Sequence, residues 1–166
     1  HQDEALNAVA GLTGVTRGSL TVRGRAPAAG REDSAYALAR DTLLPWRSAV
    51  ENVELALEMR GVRKSERRRM AEHALARVGL ADARDRHPNA LSQGMRQRVA
   101  LARAFVTEPT LMMMDEPFGA LDAQTRVLMQ DLLLTLLDEF GGTLLLITHD
   151  LAEALVRIGA ALVASD

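Results

Sequence analysis

The residues of this chain best suited to chemistry are two acids that close an apolar run, Leu111-Met112-Met113-Met114-Asp115-Glu116. Such a run predicts a strand buried on both faces, and in parallel α/β sheets ligands bind beyond the carboxyl ends of the strands. One carboxylate there can hold a hydrated magnesium ion, which takes oxygen ligands and keeps several waters. Its neighbour can orient or deprotonate the water that attacks a phosphoryl group. A bare Asp-Glu pair is more often two solvated acids, so the flanking residues decide. Ser92-Gln93-Gly94 opens a predicted helix. Free N–H groups, a hydroxyl and a glycine that permits close approach suit a phosphate there, although an ordinary serine N-cap has the same composition. Thr148-His149-Asp150 follows a second apolar run. A histidine at a strand end can donate to a phosphate oxygen, while a lone histidine is usually a surface or capping residue.

The elements that must position these groups follow from spacing and turn signals. Residues 5–12 predict a short helix ending at Gly11 or Gly14. Residues 18–24 alternate between turn residues and predict a strand in a hairpin. Residues 27–33 form a loop, residues 36–38 a short strand, and Leu43-Leu44-Pro45-Trp46 breaks the pattern. Val50, Val53 and Leu57 fall on one face of a helix over 49–59. Ser65 is the expected N-cap of a helix running to Val78, with Gly79 as its stop. Ser92 caps a helix to about Val106, and Pro109 ends it. A helix over 125–140, a turn at Gly141-Gly142 and a strand over 143–147 follow. A helix over 151–158 and a strand over 161–164 complete the pattern, in which strand-bearing segments flank a helical middle.

At 166 residues the chain is long enough for one domain with a real core, or for a core plus a small appended lobe. A net charge of −2 gives no global attraction to polyanions. The Arg67-Arg68-Arg69 run, flanked by Glu66 and Glu72, predicts a solvated face rather than a nucleic-acid patch. There is no cysteine, and no apolar run is long enough to cross a bilayer. No secretory signal is read, so a cytosolic protein is expected; the start at His1 suggests a processed, truncated or incompletely recorded N-terminus.

Together these motifs resemble the ATP-binding subunits of ABC transporters. Leu91-Ser92-Gln93-Gly94-Met95-Arg96-Gln97-Arg98 is similar to the family's signature motif, and Met113-Met114-Asp115-Glu116-Pro117 resembles Walker B. Ala120-Leu121-Asp122 resembles the D-loop and His149 the switch histidine. Leu43-Leu44-Pro45-Trp46-Arg47, Glu51-Asn52-Val53 and the run from Asp115 to Asp122 are similar to the nitrate, sulfonate and taurine importer branch. The resemblance covers nearly the whole chain. It implies an α/β, P-loop NTPase-like core with an inserted helical subdomain, its N-terminal part truncated or degenerate. The division it implies is a partial nucleotide-binding core over 1–45, a helical signature subdomain over 46–107, and a core with Walker B and the switch histidine over 108–166. It further implies ATP and Mg2+ as ligands, Glu116 and His149 as catalytic, Asp115 at the metal, and Ser92, Gln93, Gly94 and Asp122 at the nucleotide. The implied partners are a second ABC ATPase subunit, in a homo- or heterodimer, and transmembrane permease subunits, with no nucleic acid. The implied location is cytoplasmic, peripheral on the inner face of the cell membrane.

Three departures stand beside the resemblance. The family carries Gly-x-x-x-x-Gly-Lys-Ser/Thr before its first helix, and Leu6-Asn7-Ala8-Val9-Ala10-Gly11-Leu12 matches that helix. The Gly-Lys-Ser/Thr positions then fall on His1, Gln2 and Asp3, where an acid would repel phosphate. Ala39 stands where the family's Q-loop has glutamine, and Gln93 replaces the first signature glycine. In the family each nucleotide is held by the phosphate loop, Walker B and switch histidine of one subunit and by the signature serine of the other. This chain therefore resembles a protein that keeps its trans-acting surface and lacks its cis-acting one. Three readings compete: an importer ATPase subunit driving uptake of a small solute such as nitrate, sulfonate or taurine; a non-hydrolysing partner or regulator; and, fitting worst, a DNA-repair-type ATPase. ATPase activity follows from the resemblance, and the absent Walker A lysine and Q-loop glutamine stand against it. Trp46, within 40–53, is either a permease contact or local packing. A missing first strand would expose a sheet edge, with poor stability or oligomerisation as the consequence.

Overall fold

Strand β2 (Leu111–Asp115) is paired on both sides, with β1 (Ser34–Ala37) and β3 (Thr143–Ile147), all parallel. The computed structural model describes residues 2–15, 17–22, 24–37 and 42–147. Met112, Met113 and Met114 are each at most 2% exposed. Successive strand side chains point to opposite faces. Met112 and Met114 accordingly enter the main core, while Met113 packs with Leu6 of helix α1 (Gln2–Val9) on the other face. The apolar run is thus a strand buried on both sides.

Parallel neighbours require long crossovers. Between β1 and β2 the chain makes α2 (Ala49–Met59), α3 (Lys64–Arg77) and α4 (Gln93–Phe105), with short 3-10 turns at Ala81–Ala83 and Pro88–Ala90. Between β2 and β3 it makes α5 (Ala123–Phe140). The register aligns Ala37 with Met114 and Asp115 with Ile147, so all three strands end at one edge of the sheet.

Helix α2 buries Val50, Val53 and Leu57, as their spacing predicts. Ser48 and Glu51 form a reciprocal capping box at its start. The Ser48 backbone N–H, bonded to the Glu51 carboxylate at 2.8 Å, is the main reason that acid is held below the usual carboxylate range. Asn52 is fully buried and fastens the preceding loop. Its Oδ1 accepts from the Leu44 N–H at 2.7 Å, and its Nδ2 donates to the carbonyls of Leu44, Arg47 and Ser48. That loop presents Trp46 outward, 70% exposed, so it is not a packing residue here.

Several expectations are corrected. Helix α3 begins at Lys64, and Ser65 does not cap it: the Glu66 and Arg67 N–H groups bond the Arg63 carbonyl, which puts Ser65 inside the first turn. Arg67 and Arg68 do not form a merely solvated face, because both pair with the buried Glu54 of α2. The hairpin strand over 18–24 reduces to one antiparallel bridge, Val22 to Arg25. Its described residues leave no buried face to hold a longer strand. The first helix lies over Gln2–Val9 rather than 5–12. Gly11 follows it at φ +74°, where a β-carbon would sit 2.4 Å from the Ala28 carbonyl carbon. The end of the predicted strand at Leu38, Ala39, His149, and the elements over 151–158 and 161–164 lie outside the described residues. Among the described residues no helix is long and apolar enough to cross a membrane.

An aromatic stack joins the far ends of three helices. Phe140 of α5 stacks on Phe105 of α4 at 5.5 Å, and the Arg77 guanidinium of α3 lies 4.3 Å over the Phe140 ring and pairs with Glu139. Replacing Asn52 by Ala strands the buried groups it serves, which costs about 1–3 kcal/mol. The melting temperature should fall by roughly 2–4 °C for each kcal/mol lost. An unchanged midpoint in a thermal melt would show that Asn52 does not hold the loop.

Candidate functional site

Each candidate residue among the described ones stands at or next to the start or end of a regular element. Asp115 is the last residue of β2, at the sheet edge where the parallel strands end. Glu116 follows at φ +41°, a left-handed conformation that L residues adopt rarely and at some cost in strain. The Gly119 N–H donates to the Glu116 carbonyl at 3.2 Å. The Glu116 carboxylate folds back over this turn, with Oε2 3.7 Å from the point a β-carbon of Gly119 would occupy. The strand therefore turns sharply at Glu116, and the next residues, Phe118 and Leu121, are buried.

Ser92 caps α4: its hydroxyl accepts from the Met95 N–H at 3.3 Å. A hydroxyl that accepts in this way keeps its own O–H to donate. The N–H groups of Gln93 and Gly94 belong to the first turn of the helix, which offers them no intrahelical acceptor. Asp122 caps α5 in the same manner, accepting from the Thr125 N–H at 3.0 Å and from its hydroxyl at 2.6 Å. The two helix starts meet closely. A β-carbon on Gly94 would lie 3.1 Å from the Thr125 methyl, so glycine lets α4 approach α5.

The structure brings Ser92, Gln93, Gly94 and Asp122 around one cavity of about 610 Å3, together with Arg77 and Arg98. Asp115 and Glu116 are not in its lining; they sit at the other end of the loop over 117–121. His149 lies outside the described residues. Two further residues of the signature-like stretch, to which the sequence reading gives no role, bear on the site. Gln97 donates to the Pro117 carbonyl at 2.5 Å, and Arg98 donates to the Val78 carbonyl at 3.4 Å. Only the position of Gln97 one helical turn after Gln93 signalled a shared face.

A strand ending in two carboxylates, beside a helix opened by a capping serine and a glycine, inside a parallel sheet crossed over by helices, defines a class of nucleotide-handling α/β proteins. The family profile of the ABC transporters matches residues 5–119, and the chain belongs to that family. Two similar curated proteins are the taurine import ATP-binding proteins TauB of Mesorhizobium japonicum and of Chromobacterium violaceum. The first is 50% identical over 91% of this chain and 59% of its own length. The second is 47% identical over 90% and 58% respectively. The chain thus spans just under three-fifths of the length of these relatives. Among solved structures, the ATP-binding cassette MJ0796, a dimer in a post-hydrolysis state bound to ADP and Pi, superposes with a TM-score of 0.77 at 30% identity. That match covers 92% of this chain and 72% of the other.

Asp122 gives a local test of the geometry. Its carboxyl is held below the usual aspartate range, first by the Thr125 hydroxyl and then by the Thr125 N–H. A depressed folded pKa means that the cap contributes fully above the unfolded value, about 3.9, and is lost as pH falls through the folded value. An NMR titration should place the Asp122 midpoint below that of an ordinary aspartate. Thr125→Val should move it upward. A wild-type midpoint at the ordinary value would contradict the cap.

Proposed function

We propose that this chain is part of the ATP-binding subunit of an importer that couples ATP hydrolysis to uptake of a small solute such as taurine, another sulfonate or nitrate. The observation that carries the reading is the Asp115-Glu116 pair at the carboxyl end of the central buried strand, followed by a loop hydrogen-bonded to the first turns of the Ser92-capped α4. The taurine-import names of its relatives support the solute class.

In this reading MgATP is the substrate. Among the described residues no three acids or histidines cluster to form a metal cage. Magnesium does not need one, since it binds through one or two carboxylates plus phosphate oxygens and water. The donor chemistry of Asp115 fits that requirement; the bound ion would neutralise charge on the β- and γ-phosphates. Glu116 orients the attacking water and takes its proton. His149 donates to a phosphate oxygen. Ser92 and the N–H groups of Gln93 and Gly94 act on the nucleotide of a second subunit, at a helix start whose dipole favours an anion. Asp122 fixes the adjoining start of α5. The chain divides for these roles into residues 1–45, the helical lobe over 46–107, and residues 108–166.

The permease-facing surface of this proposal takes in the exposed Trp46 and the groove of about 660 Å3 beside β1, whose lining includes Met59, 82% exposed. Docking there would set the protein on the cytoplasmic face of the membrane. A second reading, a non-hydrolysing partner or regulator, is favoured by His1, Gln2 and Asp3 standing where the family's phosphate loop ends. It uses the same Ser92 face and dispenses with Glu116.

The experiment that separates the two readings is ATP turnover by the subunit assembled with its permease. Glu116→Gln should lower kcat on the order of 100-fold or more while leaving nucleotide binding in place. Unchanged turnover in Glu116→Gln would refute the catalytic assignment and leave the partner reading.

A further inference from the structure

Two side-chain amides on α4 reach across to the loop that follows the carboxylate pair. Gln93 Nε2 donates to the Ala120 carbonyl at 3.0 Å, and Gln97 Nε2 donates to the Pro117 carbonyl at 2.5 Å. Residues four apart lie on one face of a helix, so the two donors form a pair one turn apart. Their acceptors bracket the loop: Pro117 immediately follows Glu116, and Ala120 lies two residues before the Asp122 cap. Between them, the Gly119 N–H bonds the Glu116 carbonyl and the Leu121 N–H bonds the Phe118 carbonyl. The same helix turn brings Gly94 against Thr125 of α5.

We infer that Gln93 and Gln97 are positioning residues that clamp the 117–121 loop to the start of α4. Displacement of the Ser92 helix start is then transmitted to Glu116, and the reverse. The consequence for turnover rests on the ATPase reading above; the clamp itself does not. The geometry also gives Gln93 a role that glycine at its position cannot supply, because glycine has no amide to donate to Ala120. Neither glutamine side chain touches the reacting atoms in this account. They act through the backbone between Pro117 and Leu121, which carries Glu116 at one end and the α5 cap at the other.

The test uses two variants. Gln97→Glu keeps the shape and removes the donor. Gln93→Ala truncates an exposed side chain, so its folding is not at risk. Hydrogen exchange is followed at the amides of Gly119 and Leu121, with the mid-helix amides of α5 as reference. Exchange at both loop amides should quicken about tenfold in Gln97→Glu, equivalent to about 1.4 kcal/mol of local opening, and severalfold in Gln93→Ala, with α5 unchanged. In the permease-assembled subunit, kcat should fall about tenfold in Gln97→Glu with KM within about twofold, as expected when an interaction needed only for the chemical step is misplaced. Unchanged loop exchange in both variants would overturn the clamp. Quickened exchange with full kcat would overturn the positioning role. A wild-type assembly that hydrolyses no ATP would instead overturn the ATPase reading, and the exchange result would still decide the clamp.

Discussion

Met112, Met113 and Met114 have neighbours on every side: β1 and β3 along their edges, Leu6 against one face, and the core formed with α2 to α5 against the other. A segment enclosed in this way has its register set by burial, because a slip of one residue would turn every side chain to the wrong face. Fixing β2 fixes where it ends. Asp115 comes level with Ile147, and Glu116 makes its left-handed turn immediately beyond the sheet. The acids are therefore held at a defined edge by the hydrophobic packing behind them.

The loop over 117–121 converts that position into a relation between elements. Phe118 and Leu121 anchor it in the core, Gln93 and Gln97 tie it to α4, and Asp122 starts α5. At the far ends of the same helices the Phe105–Phe140 stack and Arg77 close the other side. With both ends of α4 and α5 fastened, the Ser92 helix start and the Glu116 turn are coupled through short, hydrogen-bonded backbone rather than through a flexible link. The 610 Å3 cavity opens on the Ser92 side and leaves Asp115 and Glu116 out of its lining. The candidate residues thus fall into two groups, Ser92, Gln93, Gly94 and Asp122 around that cavity and the Asp115-Glu116 pair outside it.

How far the sequence disclosed this depends on the range of each interaction. The central strand and α4 were legible because a continuous apolar run and a serine before an amphipathic stretch act locally. The start of α3 was misread because Ser65 has the right chemistry for a cap, whereas backbone bonding begins from Arg63. The expected strand over 18–24 failed because alternation without a face to bury does not hold a strand. The contacts made by Asn52 and Gln97 and the Arg67–Glu54 pairing are not legible in the sequence, because each depends on a partner brought near only by tertiary folding. The positive φ of Glu116 has no sequence signal either, since most such positions hold glycine or asparagine.

The central claim is that the Ser92 face of this chain completes a nucleotide site on another subunit. The direct measurement is calorimetric titration of MgATP into a related ATP-binding subunit that carries an intact phosphate loop, with and without an equimolar amount of this chain. Adding the chain should tighten MgATP binding by about tenfold, some 1.4 kcal/mol, and the Ser92→Arg variant should abolish the gain. No tightening, or the same tightening with Ser92→Arg, would contradict the account.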